Sequence, residues 1–237
     1  MKILALETSA KAVSAAVVED GKLLASSYQD SGLTHSRTLM PMVQHLLQNS
    51  DLTLDQMDGI AVAQGPGSFT GIRIGVSTAK GLALAADKPV LGVSTLEAMA
   101  WNISHLDGLI LCAMDARRNQ VYNALFQADG GELHRECPDR AISLEELAEE
   151  LAGDPREKTV VGDGAVLCAE FLRAHQIPCR IAPPHLVMQN AASVGFAAQR
   201  AAQAGAWSTS QDLLPVYLRL SQAERERNER LKKEQRA

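Results

Sequence analysis

Apolar positions along the chain follow two spacings, and the places where the spacing changes outline the elements. Residues 2–6, 12–19 and 22–28 read as three strands, with Asp20-Gly21 as a tight hairpin between the second and third. Leu39, Val43, Leu46 and Leu47, with Met40 beside them, then recur at helical spacing over 36–49. Proline fits best in a first helical turn, so Pro41 sets the expected start between Ser36 and Thr38. A compact apolar strand at 59–63 runs into a Gly-Pro-Gly turn and a helix at 71–86. A strand at 89–93 and a helix near 95–105, capped by Ser94 or Thr95, complete the first half.

The same order returns. Residues 109–114, 120–127 and 132–135 read as strands. A helix at 143–152 opens with a capping box, Ser143 and Glu146. Strand 159–162, a Gly162-Asp163-Gly164 turn, helix 165–175, strand 179–182 and helix 191–204 follow. Ala5-Leu6-Glu7 aligns without a gap with Ala113-Met114-Asp115, and Val13, Ala16, Val17 and Val18 with Val121, Ala124, Leu125 and Phe126. Self-similarity at a long interval points to duplication. The expected class is α/β. The repeated β-β-β-α-β-α-β-α order resembles the actin/sugar kinase/Hsp70-like (ASKHA) plan of two domains, each a mixed five-stranded sheet with helices. The expected division is 1–106, 107–210 and a C-terminal segment with a charged tail, 211–237.

Composition narrows the function. Aromatic residues make up 4%, too few for stacking platforms along single-stranded nucleic acid. The formal charge is −5, whereas a self-sufficient nucleic-acid binder is usually basic. Cys112, Cys137, Cys168 and Cys179 form no CxxC pair and have no zinc spacing, so they read as thiols in a reducing compartment. No stretch approaches the ~20 apolar residues of a membrane span, and the N-terminus does not read as a signal peptide. The expectation is a cytoplasmic protein without a membrane role. Residues 221–237 carry six basic and four acidic side chains and read as a solvated tail.

Gly65–Ala83, GPGSFTGIRIGVSTAKGLA, holds five of the seventeen glycines. A glycine turn feeding a helix N-terminus is a ready anion cradle. It lacks the GK[ST] ending of a P-loop, and its nearest downstream cation is Arg73. Gly71, Gly75, Ala79 and Ala83 fall four apart and leave one helix face flat, against which another backbone can lie. That face could meet a partner or the protein's own sheet.

Glu7-Thr8-Ser9, His35-Ser36, GPGSFTGIRIG, Asp115-Ala116-Arg117 and Pro215-Val216-Tyr217-Leu218-Arg219 occur in the order that resembles the TsaB (YeaZ) family, as far as Leu220. The resemblance implies participation in threonylcarbamoyl transfer to N6 of the tRNA adenosine next to the anticodon. It implies a non-catalytic subunit that forms a heterodimer with a metal-bearing paralogue, TsaD, joined by the ATPase TsaE. It implies no cofactor of its own, with ATP and a divalent metal supplied through the partners, tRNA met mainly through the complex, and a homodimer when alone. The paralogue's metal helix carries two His four apart; here His35 is followed by Leu39, and His45 lies too far along to chelate with it. No catalytic or metal residue is therefore assigned.

The expected partner face comprises Leu39, Met40, Val43 and Leu47 on one helix and Gly71, Ile72, Gly75, Ala79 and Leu82 on the next, two helices from each molecule forming a bundle. On this reading Gly75→Leu abolishes pairing and leaves the fold intact. A candidate nucleotide or anion site comprises Thr8, Ser9, Gly67, Ser68, Arg73, Asp115 and Arg117. The competing function is an independent nucleotide-dependent phosphotransferase or ATPase of the ASKHA class, which calorimetry with ATP and magnesium would reveal. A peptidase has no Ser-His-Asp spacing or HExxH motif behind it.

Overall fold

The computed structural model describes residues 1–219. Two sheets repeat one plan. The first has the order β3-β2-β1-β4-β5, built from β1 Lys2–Glu7, β2 Val13–Glu19, β3 Lys22–Gln29, β4 Gly59–Gly65 and β5 Val90–Ser94. β1 pairs antiparallel with β2 and parallel with β4, so the sheet is mixed. The second path runs β11-β10-β6-β7-β8, from β6 Gly108–Arg117, β7 Gln120–Asp129, β8 Glu132–Arg135, β10 Lys158–Val161 and β11 Arg180–Ile181. Read outward from its own first strand, it has the same order as the first sheet.

The second sheet has six strands, not the five expected. The extra one, β9 Arg140–Ser143, pairs with the first residues of β7, Gln120–Asn123. Four residues with a single large apolar side chain give no strand signal, and the pairing is visible only in three dimensions. The ungapped match between halves also slips in space. Glu7 lies opposite Ser14, but Asp115 lies opposite Val121 instead of Tyr122. A tight turn with Arg117, Arg118 and Asn119 all at positive φ, and a register shift at Asp115, take up the one-residue difference.

α1 (His35–Asn49) and α2 (Phe69–Ala86) cover one face of the first sheet. α1 starts before the expected limit, which leaves Pro41 inside the helix. Pro41 and Arg37, whose carbonyl loses its helical donor, both lie on the exposed side, where water can serve that oxygen. α2 starts at Phe69, and the Ser68 hydroxyl accepts the Gly71 N–H. α4 (Leu144–Leu151) and α5 (Ala165–Ala174) pack on the outer face of the second sheet.

The remaining two helices lie between the sheets. α6 (Ala191–Gln203), the last helix of the second half, packs on the first sheet through Val194, Ala197 and Ala198 against Ile3, Ala5, Ala16 and Val18. α3 (Thr95–Trp101), from the first half, places Leu96, Met99 and Ala100 against Ile110, Cys112 and Phe126 of the second sheet. Each half thus covers part of the other. The C-terminal segment returns across the first half. Val216 N–H donates to the Gln64 carbonyl at 2.7 Å, and Lys80 Nζ holds the carbonyls of Gln211 and Leu213. The tail at 221–237 lies outside the described residues.

Candidate functional site

Strand ends from both halves and the C-terminal strap enclose a cavity of about 580 Å³. Ser9, Ala10 and Lys11 follow β1, Gly67–Thr70 open α2, Met114–Arg117 end β6, and Asp163 precedes α5; Val216–Arg219 complete the wall. That volume is within the usual range for a small-molecule pocket.

The predicted anion residues do not all meet there. Ser9, Gly67, Ser68, Asp115 and Arg117 line the cavity. Thr8 does not; it is fully buried, and its hydroxyl donates to the Gly71 carbonyl at 2.8 Å. Arg73 lies on the outward side of α2, its guanidinium 3.9 Å from the Phe69 ring and its Nε–H donating to the Tyr217 hydroxyl at 2.8 Å. Asp115 Oδ1 accepts the backbone N–H of Arg117 at 2.7 Å, which fixes the turn. The glycine-rich turn rests on its own β1 end: Ser68 N–H donates to the Ser9 carbonyl at 2.7 Å, and Gly67 presses on the same carbonyl. These glycines serve chain-to-chain packing within the fold.

Lys11, Tyr122, Asp163 and Arg219 line the cavity without having been singled out as site residues. Arg219 donates to the Ala116 carbonyl at 2.6 Å and so ties the strap to the second half. Asp163 sits in the Gly162-Asp163-Gly164 turn, a visible turn signal that gave no hint of burial. Gln189 Nε2 donates to Asp163 Oδ1 at 2.9 Å. Burial pushes the Asp163 carboxyl above its ordinary value, with the Asp115 charge adding, against the pull of the Gln189 bond and Lys11.

Glu7 is fully buried beside this wall. Its Oε1 accepts the Ser9 N–H at 2.5 Å, while Oε2 meets no donor. Burial pushes its carboxyl up to about 7, against the pull of Ser9 and the nearby Thr8 backbone, with Asp163 raising it further. Ser9 Oγ and Gln189 Oε1 are likewise buried without a partner.

The predicted partner face needs correcting. Leu39, Val43, Gly71, Ile72, Gly75 and Ala79 are buried in the protein's own core, and Leu47 and Leu82 pack partly against it. The flat stripe exists for Thr8: a Cβ at Gly71 would overlap the Thr8 carbonyl oxygen, and one at Gly75 its hydroxyl. Of the nine residues, Met40 alone is exposed, at 37%. The outward side of α2 instead presents Arg73, Ser77, Gly81 and Leu84, the last 77% exposed. Among the described residues, no group of three or more His, Cys, Asp or Glu side chains is placed to hold a metal ion, and no helix is long and apolar enough to cross a membrane.

A family model described as TsaD, tRNA N6-adenosine threonylcarbamoyltransferase, matches residues 29–226. The Bacillus subtilis tRNA threonylcarbamoyladenosine biosynthesis protein TsaB is 35% identical over 233 residues, covering 94% of this chain and 96% of its own. The Escherichia coli protein of the same description is 38% identical over 167 residues, covering 69% and 72%. The chain belongs to the TsaB (YeaZ) family. The solved structure of YeaZ from Pseudomonas aeruginosa superposes with a TM-score of 0.77 at 30% identity, over 92% of this chain and 99% of that one. Component A of the Acidaminococcus fermentans (R)-2-hydroxyglutaryl-CoA dehydratase, at a TM-score of 0.50 and 11% identity, shares the fold alone. Within the TsaB family the two mixed sheets and their exchanged helices are an ASKHA-type α/β fold.

Proposed function

We propose that this TsaB-family protein works in tRNA threonylcarbamoyladenosine biosynthesis as a non-catalytic subunit that docks on a TsaD-type catalytic paralogue. The observation that carries the docking reading is the outward side of α1 and α2, where Met40 and Leu84 stand exposed. A solvated leucine is ordinary when isolated, but a neighbouring helix with an exposed methionine gives a partner a larger apolar footing. The divalent metal and ATP enter through the paralogue and a TsaE-type ATPase. The donor set supports this division of labour: at the position four residues after His35, Leu39 is core and offers no ligand. This chain positions the paralogue, tRNA meets the assembled complex, and the same face pairs two copies when the paralogue is absent.

The test is Leu84→Glu and Met40→Glu, singly and together, in the full chain co-expressed with the paralogue. The expected outcome is loss of the co-purified complex and of modified tRNA, with an unchanged melting temperature. An undiminished yield of complex from the double variant overturns docking on this face.

A further inference from the structure

Glu7 sits where the two halves meet. Ser14 lies directly opposite it on β2, so the two side chains leave the sheet on one face. Ser14 Oγ accepts the Ala191 N–H at 2.9 Å, which places that face against the first turn of α6. The next N–H there, of Ala192, is taken by Asn190 Oδ1. Gln189, two residues before Ala191, spends its N–H on Asp163 and leaves Oε1 unserved. Glu7 Oε2, Gln189 Oε1 and Ser9 Oγ are thus buried in this seam with no partner at hydrogen-bond distance, while Ser14 meets α6 with its hydroxyl oxygen. A fully buried carboxylate held by a single N–H is costly, and protonation removes its charge and turns Oε2 into a donor.

We propose that Glu7 is held as the neutral carboxylic acid in the closed protein, that its O–H donates within this seam, and that release of its proton to solvent loosens the contact between the halves. The charged groups that bear on it support this. Asp163 acts from the turn before α5, and Asp115 stands behind it at the end of β6. Lys11 acts on Asp163 from the loop after β1, while the α6 side presents the uncharged Gln189 and Asn190 and β2 the uncharged Ser14. Ionised Glu7 and Asp163 are like charges on opposite halves, in surroundings where water screens them poorly. Ser9 and Asp163 are also walls of the cavity, so the same proton governs how tightly the cavity is closed.

The experiment follows the side-chain carboxyl carbons of the full-length protein by NMR from pH 5 to 9, with Glu7 assigned by its loss in Glu7→Gln. Amide exchange at Ser9 and Ala191, corrected for intrinsic rates, is measured alongside. The expected result is a Glu7 midpoint of about 7. With it, protection at both amides falls about tenfold between pH 6 and 8.5 in the wild type and stays level in Glu7→Gln, whose amide is always neutral. Asp163→Asn, which keeps the shape and removes the facing charge, is expected to lower the Glu7 midpoint. A Glu7 that titrates in the ordinary carboxylate range, or a loss of protection equally large in Glu7→Gln, overturns the proposal.

Discussion

Gly71 lies against the carbonyl oxygen of Thr8, and Thr8 answers by donating its hydroxyl to the Gly71 carbonyl. The end of β1 and the first turn of α2 are thereby joined backbone to backbone. Gly75 continues the contact one turn later, against the Thr8 hydroxyl and Val62. Gly75→Leu therefore tests the fold and not the partner face. It is expected to destabilise the protein by about 3 kcal/mol or more, and Gly71→Ala by about 1–3 kcal/mol, since neither neighbour can retreat. Denaturant unfolding of the purified variants measures both. Gly81, with no atom within 4 Å of an added Cβ, is the internal control: Gly81→Ala is expected to stabilise α2 by up to about 1 kcal/mol.

Lys158 is 2% exposed, and its ammonium is held by the carbonyls of Asp154 and Arg156 at 2.6 and 2.9 Å with Asp154 Oδ1 at 3.6 Å. Arg156 hydrogen bonds, with burial opposing, hold the Asp154 carboxyl well below the usual carboxylate range. Its folded value is depressed, so its contribution is complete above the unfolded carboxylate range and is lost as pH falls through the folded value. Asp154→Asn is expected to cost roughly 2–4 kcal/mol at pH 7 and much less near pH 2, because it leaves a buried cation without its counter-charge. Thermal melts across that range provide the check.

Glu7 has the opposite sign. Its folded value is raised, so the folded state binds the extra proton, and stability declines as pH climbs from the ordinary carboxylate range to about 7. The span corresponds to about 3 kcal/mol, and Glu7→Gln is expected to flatten that decline, read as the melting-temperature difference between variant and wild type at pH 5 and pH 8.

The strap is fastened at several places. Tyr217 stacks on Phe69 with ring centroids 4.8 Å apart and accepts the Arg73 Nε–H, while Arg219 reaches the Ala116 carbonyl. Tyr217→Ala is expected to lower stability by about 1–2 kcal/mol, or several degrees in melting temperature, and to expose residues 213–219 to faster amide exchange. Arg219→Ala removes the hydrogen bond that ties this strap to β6. It is expected to raise exchange at Arg219's neighbours with a smaller effect on melting.

Local chemistry made much of this architecture legible in the sequence. Apolar runs marked β1, β4 and β6, Ser143 marked a helix start, and the repeated order announced the second half. Contacts between distant segments left no local signal. Thr8 and Gly71 are sixty-three residues apart, so the small-residue stripe could not be assigned to the protein's own β1 from spacing. The exchange of α3 and α6 between sheets was hidden for the same reason, since an amphipathic helix does not name the surface that buries it. Asp163 looked like a turn residue, and Gln189 gave no signal, because polarity alone does not reveal that two halves close over them.

Both tryptophans border the same core. Trp101 and Trp207 pack with the cluster between the first sheet and α6, and Trp207 lies on Gly59 where a side chain would not fit. Intrinsic fluorescence therefore reports almost solely on the melting of that layer, whereas far-ultraviolet ellipticity sums over both sheets. Because α3 is wedged against each sheet at once, the two signals are expected to share one midpoint, and any variant that separates them has uncoupled the halves.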